Sequence, residues 1–140
     1  MSKIICGVDV ASDFLQVRIG REGAEGCFSN TEDGIAELAA FCRQHQAELV
    51  AMEASGGYEK LSFALLWAKG LAVAILNPRA VCHFAEGMGL LEKTDRIDAS
   101  VIAWFAEVKH VAPMQPYSAE QQRLKARFSS GFRKNYSDVK

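Results

Sequence analysis

The spacing of hydrophobic positions changes several times along the chain, and each change marks a new element. Residues 4–10 form a nearly continuous apolar run, and residues 14–19 alternate apolar with polar side chains. Both segments therefore predict β-strands, joined by a short turn. Residues 27–30 predict a third, antiparallel strand, so the chain is expected to begin with an up-and-down meander.

The middle of the chain changes to helical spacing. Thr31 is followed by two acidic residues, which is typical of a helix start, because the hydroxyl caps open amides and the acids face the positive end of the helix dipole. A strand over residues 48–52 then ends at Glu53, and a second helix is predicted over residues 58–69. Residues 71–76 are apolar on both faces, which predicts a central, parallel strand.

Two further helices are predicted in the second half. Asn77 is a suitable cap, and Pro78 fits the first turn of a third helix, where its missing amide costs nothing. A fourth helix is predicted over residues 95–108. Pro113 then ends the ordered domain, ahead of a short helical piece near residues 119–126.

The order of these elements defines the fold class. Three strands are followed by helix, strand, helix, strand and two helices. This order predicts an α/β domain whose mixed sheet has antiparallel N-terminal strands and two parallel additions, flanked by helices on both faces. Ribonuclease-H-like folds have this plan.

Composition excludes several other classes of protein. The 140 residues are 49% hydrophobic and 24% charged, which is enough to bury one core and too apolar for a disordered chain. No apolar stretch approaches the roughly 20 residues that span a bilayer. The four cysteines are scattered, without the paired spacing of zinc sites, and are expected to be reduced. These features predict a cytoplasmic protein.

The net charge of −1 conceals an asymmetry. Residues 1–70 carry more acidic than basic side chains, whereas residues 71–140 carry an excess of basic ones, most of it after residue 122. A basic end is compatible with a polyanionic partner, and a solvated tail explains it equally well.

Four acidic residues stand out by position. Asp9 ends the first strand, Glu53 ends the fourth, and Asp95 and Asp98 lie three apart at the start of the fourth predicted helix, on the face that continues into apolar side chains. Adjacent carboxylates without a counter-charge repel one another, and hard divalent cations resolve that conflict. The pattern therefore predicts a site for Mg²⁺ or Mn²⁺, with two ions in reach of a phosphodiester.

Each acid also has a structural interpretation. Asp9 is a suitable residue to cap the turn between the first two strands. Asp95 is a suitable helix N-cap, with Asp98 at the third helical position. Glu53 is harder to explain in this way, because the end of a strand has no structural preference for glutamate.

A second group of residues is suited to contact nucleic-acid backbone. A glycine-rich turn offers bare amides at a helix start, although a simple strand-to-helix turn is the plainer interpretation, and three basic residues lie near the acids. The residues predicted to bind nucleic acid are Ser55, Gly56, Gly57, Arg79, Lys93 and Arg96.

Several of these segments resemble one known family. The N-terminal domain of the DEDD transposases of insertion-sequence family 110, which includes the Piv DNA invertases, has similar motifs, and the resemblance covers about residues 3–126. The motifs are Gly7-Val8-Asp9-Val10, Met52-Glu53-Ala54-Ser55-Gly56-Gly57-Tyr58-Glu59, Asn77-Pro78-Arg79 and Lys93-Thr94-Asp95-Arg96-Ile97-Asp98-Ala99.

The resemblance implies a function. It implies a RuvC-like ribonuclease-H fold in which Asp9, Glu53, Asp95 and Asp98 bind metal and catalyse, with Mg²⁺ or Mn²⁺ as cofactor. It further implies DNA as substrate in transposition, a structured bridge RNA as guide, and association with other transposase copies, with no membrane partner.

Family members carry a C-terminal domain with a nucleophilic serine, joined by a helical segment. We therefore expect residues 1–112 to form the RuvC-like domain, residues 113–126 to begin a truncated connecting helix, and residues 127–140 to form an aberrant basic tail. Two alternatives stay open: an inactive remnant that binds nucleic acid or intact transposase, and, more remotely, a fragment of an actin-like ATPase or sugar kinase.

Overall fold

The computed structural model describes residues 3–89 and 98–114. The fourth predicted helix begins outside this range, and so do the predicted helical piece near residues 119–126 and the basic tail. The described elements, in chain order, are β1 (Ile5–Val10), β2 (Phe14–Ile19), β3 (Glu25–Ser29), α1 (Glu32–Gln44), β4 (Leu49–Glu53), α2 (Glu59–Ala68), β5 (Val73–Leu76), α3 (Pro78–Gly87) and α4 (Ala99–Val108).

The strands form one mixed sheet in the order β3-β2-β1-β4-β5. β1 pairs antiparallel with β2, and β2 with β3, whereas the β1–β4 and β4–β5 pairs are parallel. The predicted antiparallel meander with two parallel additions is therefore confirmed. β1 lies at the centre of the sheet, where its backbone bonds to a neighbour on each side.

Alternating side chains of β1 build two cores, one on each face of the sheet. Cys6, Val8 and Val10 pack with apolar residues of α1 and α2. Ile5 packs on the other face with residues of α3 and α4. Because the side chains of a strand alternate between its faces, one buried strand serves both cores, and the predicted helices on both faces are confirmed.

The helix starts with strong local signals lie where the sequence predicts them. Thr31 accepts a hydrogen bond from the amide of Gly34 at 3.1 Å, which caps α1. Asn77 accepts from the amide of Arg79 at 2.8 Å, and Pro78 is the first residue of α3. In both cases a side chain satisfies an amide that has no partner within its own helix.

The prediction that residues 71–76 form a central strand is wrong. β5 lies at the end of the described sheet, and its side chains are apolar on both faces because helices cover both faces there. Its outer side is partly closed by Met114, whose amide donates to the carbonyl of Val73 at 2.7 Å. The Met114 sulfur also accepts from the amide of Ile75 at 3.2 Å.

The prediction that the fourth helix runs continuously through Asp98 is wrong as well. Asp98 is the N-cap of α4, with extended backbone angles (φ −108°, ψ 179°), and its side chain accepts from the amide of Val101. A residue with this backbone lies outside the helix, so Asp98 is not part of the helical face of α4. Aspartate favours this position because its carboxylate satisfies an amide near the positive end of the helix.

Helix α4 lies directly on β1 because Gly7 has no side chain. A Cβ atom at this position would lie 2.1 Å from the carbonyl oxygen of Ala99 and 2.7 Å from the amide nitrogen of Ala103. Both neighbours are backbone atoms, so relief of the clash requires movement of the whole helix. The contact sets how closely the start of α4 approaches the carboxyl end of β1.

We expect Gly7→Ala to destabilise the domain by about 3 kcal/mol, at the upper end of overpacking costs, because the added methyl group must push α4 away from the sheet. Gly87→Ala is the matched control, since a Cβ there meets nothing within 4 Å and alanine is a better helix former. Chemical denaturation of both variants measures the difference. Equal unfolding free energies for the two variants would show that the contact imposes no constraint.

Candidate functional site

Asp9 and Glu53 lie beside each other at the carboxyl edge of the sheet. The parallel pairing of β1 with β4 sets Gly7 opposite Ala51 and Val8 opposite Met52, so Asp9 and Glu53 follow as the next residues along their strands. Both occupy the side-chain positions that face α4 rather than α1. The structure therefore brings two of the four predicted acids together.

The surroundings of Glu53 disfavour a negative charge. Partial burial and the charge of Asp9 raise the pKa of Glu53 from 4.5 to about 7. Its Oε2 atom is buried and has no hydrogen-bond partner among the described residues. A buried carboxylate oxygen of this kind is costly unless it gains a proton or a cation.

The pair has the chemistry of a hard-cation site. Carboxylate oxygens are the ligands that Mg²⁺ and Mn²⁺ prefer, and a cation would remove both the repulsion and the unpaired oxygen. Within residues 3–89 and 98–114, no three His, Cys, Asp or Glu side chains are close enough to hold a metal ion together. Asp9 and Glu53 are thus the two predicted acids that the structure brings together as a candidate metal centre. Asp98 is not gathered with them into a three-ligand group, and Asp95 lies outside the described residues.

Asp98 is placed differently from the prediction. Its side chain is exposed, and its Oδ1 atom accepts from the amide of Val101 at 3.1 Å and the hydroxyl of Ser100 at 2.6 Å. The prediction that this carboxylate points into the protein body is therefore wrong, because the residue caps α4 instead of lying on its buried stripe. Ile102 and Phe105, predicted on that stripe, are buried.

Asp98 nevertheless lies on the same face of the sheet as the acid pair. The next residue, Ala99, places its carbonyl against Gly7, two positions before Asp9. The N-terminal end of α4 therefore approaches the carboxyl half of β1. Among the described residues, both hydrogen bonds of the Asp98 side chain use Oδ1, so the cap does not engage Oδ2.

The glycine-rich turn is not a set of bare amides. The Glu59 carboxylate accepts from the amide of Ser55 at 2.8 Å and from that of Gly57 at 3.1 Å. The prediction of open amides is therefore wrong for these two residues. The spacing of four between Ser55 and Glu59 differs from the three of a capping box, so that signature does not identify the contact. Gly56 and Gly57 have positive φ values, 67° and 104°, which favour glycine.

The same turn is attached to the end of β1. The Ser55 hydroxyl donates to the carbonyl of Val10 at 3.2 Å. Val10 follows Asp9, and Ser55 lies two residues beyond Glu53. This bond therefore joins the chain segments that leave the two acids and supports their relative position.

Helix α3 brings Cys82 and Glu86, which were not among the predicted site residues, close to the acid pair. Burial, the charge and hydrogen bond of Glu86, and the charge of Glu53 raise the pKa of the Cys82 thiol. The Cys82 sulfur lies 3.7 Å from Oε2 of Glu86, one helical turn away. Arg79 is exposed at the start of the same helix, whereas Lys93 and Arg96 lie outside the described residues.

A meander of three strands, two parallel additions, and acids at the ends of β1 and β4 define a ribonuclease-H-like domain of the RuvC type. The solved structure of T. thermophilus RuvC in complex with Holliday junction substrate has the same fold, with a TM-score of 0.51 and 14% sequence identity. The similarity covers 80% of this chain and 99% of that chain.

The family model of the DEDD transposases of insertion-sequence family 110, described as a transposase, matches residues 6–136, and the chain belongs to this family. Two pilin gene-inverting proteins, from Moraxella lacunata and Moraxella bovis, are each 30% identical to it over 135 residues. The chain spans 41% of the length of these relatives, which cover 90% of it.

The family match extends past residue 127, where an aberrant tail was predicted to begin, and the domain boundaries stay predictions. Among the helices of the described residues, none is both long enough and apolar enough to cross a membrane.

We expect Glu53→Gln to stabilise the metal-free protein at pH 8 by about 1–2 kcal/mol and to have little effect at pH 5. A pKa raised from 4.5 to about 7 means that the folded state holds the Glu53 proton more tightly than the unfolded state. The stability that protonated Glu53 contributes to the wild type is therefore complete below pH 4.5 and is lost as the pH rises through 7. Because Glu53 is half-exposed, solvent screens its charge, and the expected stabilisation is smaller than the free energy that corresponds to the full pKa shift.

Denaturation of the metal-free protein between pH 5 and pH 8 measures this effect, with Glu37→Gln on the exposed face of α1 as the control. The control should parallel the wild type at every pH. A Glu53→Gln variant that follows the wild-type pH profile would contradict the assigned environment of Glu53.

Proposed function

We propose that this domain carries the metal-dependent nuclease step of DNA recombination, acting in the cytoplasm on the DNA ends or target of a transposable element. The observation that carries the proposal is the buried, unpartnered Oε2 of Glu53 next to Asp9. A domain that needed only stability would gain by replacing one of these acids with a neutral residue.

The proposed ligands of Mg²⁺ or Mn²⁺, and the proposed catalytic residues, are Asp9, Glu53, Asp95 and Asp98. Two such ions, when bound, supply charge stabilisation for the attacking and leaving oxygens of a phosphodiester. Asp9 and Glu53 are held by the β1–β4 pairing, which fixes their spacing before any ion arrives. Asp98 is oriented by its cap on α4, and Oδ2 is the oxygen we assign to the metal.

We assign backbone contacts with nucleic acid to the residues around this edge. Arg79 is exposed on α3 and supplies a positive charge, and Lys93 and Arg96 precede Asp98 in sequence. Ser55, Gly56 and Gly57 border Glu53, but the Glu59 carboxylate holds two of their amides, so a phosphate there must first displace it.

We further propose DNA as the main partner, a structured guide RNA as the second, and association with other transposase copies. The names of the Moraxella relatives, which invert a pilin gene, support a DNA-rearranging role. The family resemblance assigns a nucleophilic serine to a separate domain, so our proposal concerns the metal-dependent step. Residues 1–112 are the proposed RuvC-like domain, followed by the proposed linker over 113–126 and basic tail over 127–140.

Removal of one proposed ligand should weaken metal binding at least tenfold. We expect Asp95→Asn and Asp9→Asn each to reduce the affinity for Mn²⁺ in calorimetric titration, because each loses a charged oxygen ligand. Asp33→Asn, on the first turn of α1, changes the same chemical group on the other face of the sheet and should bind like the wild type. Equal Mn²⁺ affinity in wild type and both ligand variants would refute the metal centre.

Strand cleavage distinguishes a nuclease from a nucleic-acid-binding remnant. We expect Mg²⁺ to support nicking of branched DNA by the wild type, and Asp9→Asn to lower the rate at least 100-fold. DNA binding in Ca²⁺, measured by gel shift over a salt series, should persist in both. Binding that survives removal of all four acids, with no nicking by the wild type, would favour the remnant.

A further inference from the structure

A polar cavity opens on the face of the sheet that α4 leaves partly uncovered. It has a volume of about 430 Å³ and lies over β2 and β3, next to the start of α4. That volume is within the range of small-molecule sites, roughly 300–1,000 Å³. The polar side chains among its described lining are Gln16, Arg18, Glu25, Cys27, Asp98 and Ser100.

The strand register makes this cavity continuous with the acid edge. Asp9 lies opposite Gln16 on β2, and Gln16 lies opposite Cys27 on β3. Neighbouring strands are about 4.8 Å apart, so Gln16 lies roughly 5 Å and Cys27 roughly 10 Å from Asp9 across the sheet. The cavity is therefore within reach of a nucleoside attached to a phosphate at Asp9.

The charges in the cavity do not favour a phosphate group. Arg18 forms an ion pair with Glu25, so their charges cancel, and Asp98 adds a negative charge at the rim. Among the described lining residues, a phosphate placed here would meet no net positive charge. The site is instead suited to a neutral group with several hydrogen-bonding atoms.

The hydrogen-bonding groups match such a ligand. The Gln16 amide both donates and accepts, and its side chain is exposed. The Nε atom of Arg18 is buried and has no hydrogen-bond partner among the described residues. Because that atom is buried, the exposed Gln16 amide is the group that a ligand in the cavity contacts.

We propose that this cavity binds one nucleoside, the base and sugar next to the phosphate held at the acid edge, through the exposed side-chain amide of Gln16. The proposal rests on the nucleic-acid function proposed above and deepens it, since it assigns a residue that reads the strand beside the reacting phosphate. Gln16 is thus a binding and specificity residue and not a metal ligand.

Equilibrium binding of the full chain tests the role of Gln16. We expect Gln16→Ala to weaken binding of a single-stranded DNA oligonucleotide about tenfold in Ca²⁺, measured by fluorescence anisotropy. Its Mn²⁺ affinity and the slope of log affinity against log salt should equal those of the wild type, because the lost contact is to a neutral group. Gln44→Ala, at the end of α1, is the matched control and should not change binding.

A footprint on the unmutated protein provides a second test. Cys27 is an exposed cysteine, and Cys6 and Cys42 are buried. We expect saturating oligonucleotide to slow alkylation of Cys27 at least fivefold, as measured by peptide mass spectrometry, and 1 M NaCl to abolish the protection by releasing the DNA.

The outcomes separate this proposal from the one on which it rests. A wild type that binds neither DNA nor RNA refutes the nucleic-acid function itself. A wild type that binds DNA while Gln16→Ala binds equally well and Cys27 stays reactive overturns the nucleoside site alone. A reduced salt slope in Gln16→Ala also overturns it, because the contact would then be to a phosphate.

Discussion

The parallel register of β1 and β4 is the constraint on which the site depends. It places Val8 beside Met52 and hence Asp9 beside Glu53, two like charges on adjacent strands at a partly buried edge. The cost appears in the raised pKa of Glu53 and in its unpaired oxygen. The two cores on either side of β1 must offset the stability that is lost at this edge. Strand β1 contributes side chains to both cores.

Core and site are coupled through Gly7. The contact between this glycine and the backbone of α4 allows the helix to lie directly on the sheet, and the first residues of that helix adjoin the acid edge. Any side chain at this position would lift α4 and carry Asp98 away from Asp9. The absence of a side chain at Gly7 thus allows close packing of α4 and also sets the position of Asp98. This explains why a small residue occurs in the middle of a strand whose other positions are largely buried and apolar.

The features that the sequence predicts well are local ones. The caps at Thr31 and Asn77 depend on a side chain and amides two or three residues away, so their residue types are sufficient to identify them. The position of β5 depends on which strands pair, and an apolar run reports only that both faces are covered. The start of α4 is not fixed by the local sequence, because Asp95 and Asp98 are both suitable caps, and the structure shows that Asp98 caps the helix. Glu53 was identified by its place after a strand, whereas its burial and its neighbour follow from the register.

The closure of β5 by Met114 has a consequence for how copies of the domain meet. A bare terminal strand offers a row of amides and carbonyls that can template the addition of another chain. Here the carbonyl of Val73 and the amide of Ile75 are already engaged by the backbone and sulfur of a single residue. Sheet growth from the middle of this strand is therefore blocked. Neighbouring copies of the domain are in this way protected against intermolecular β-aggregation through the middle of β5.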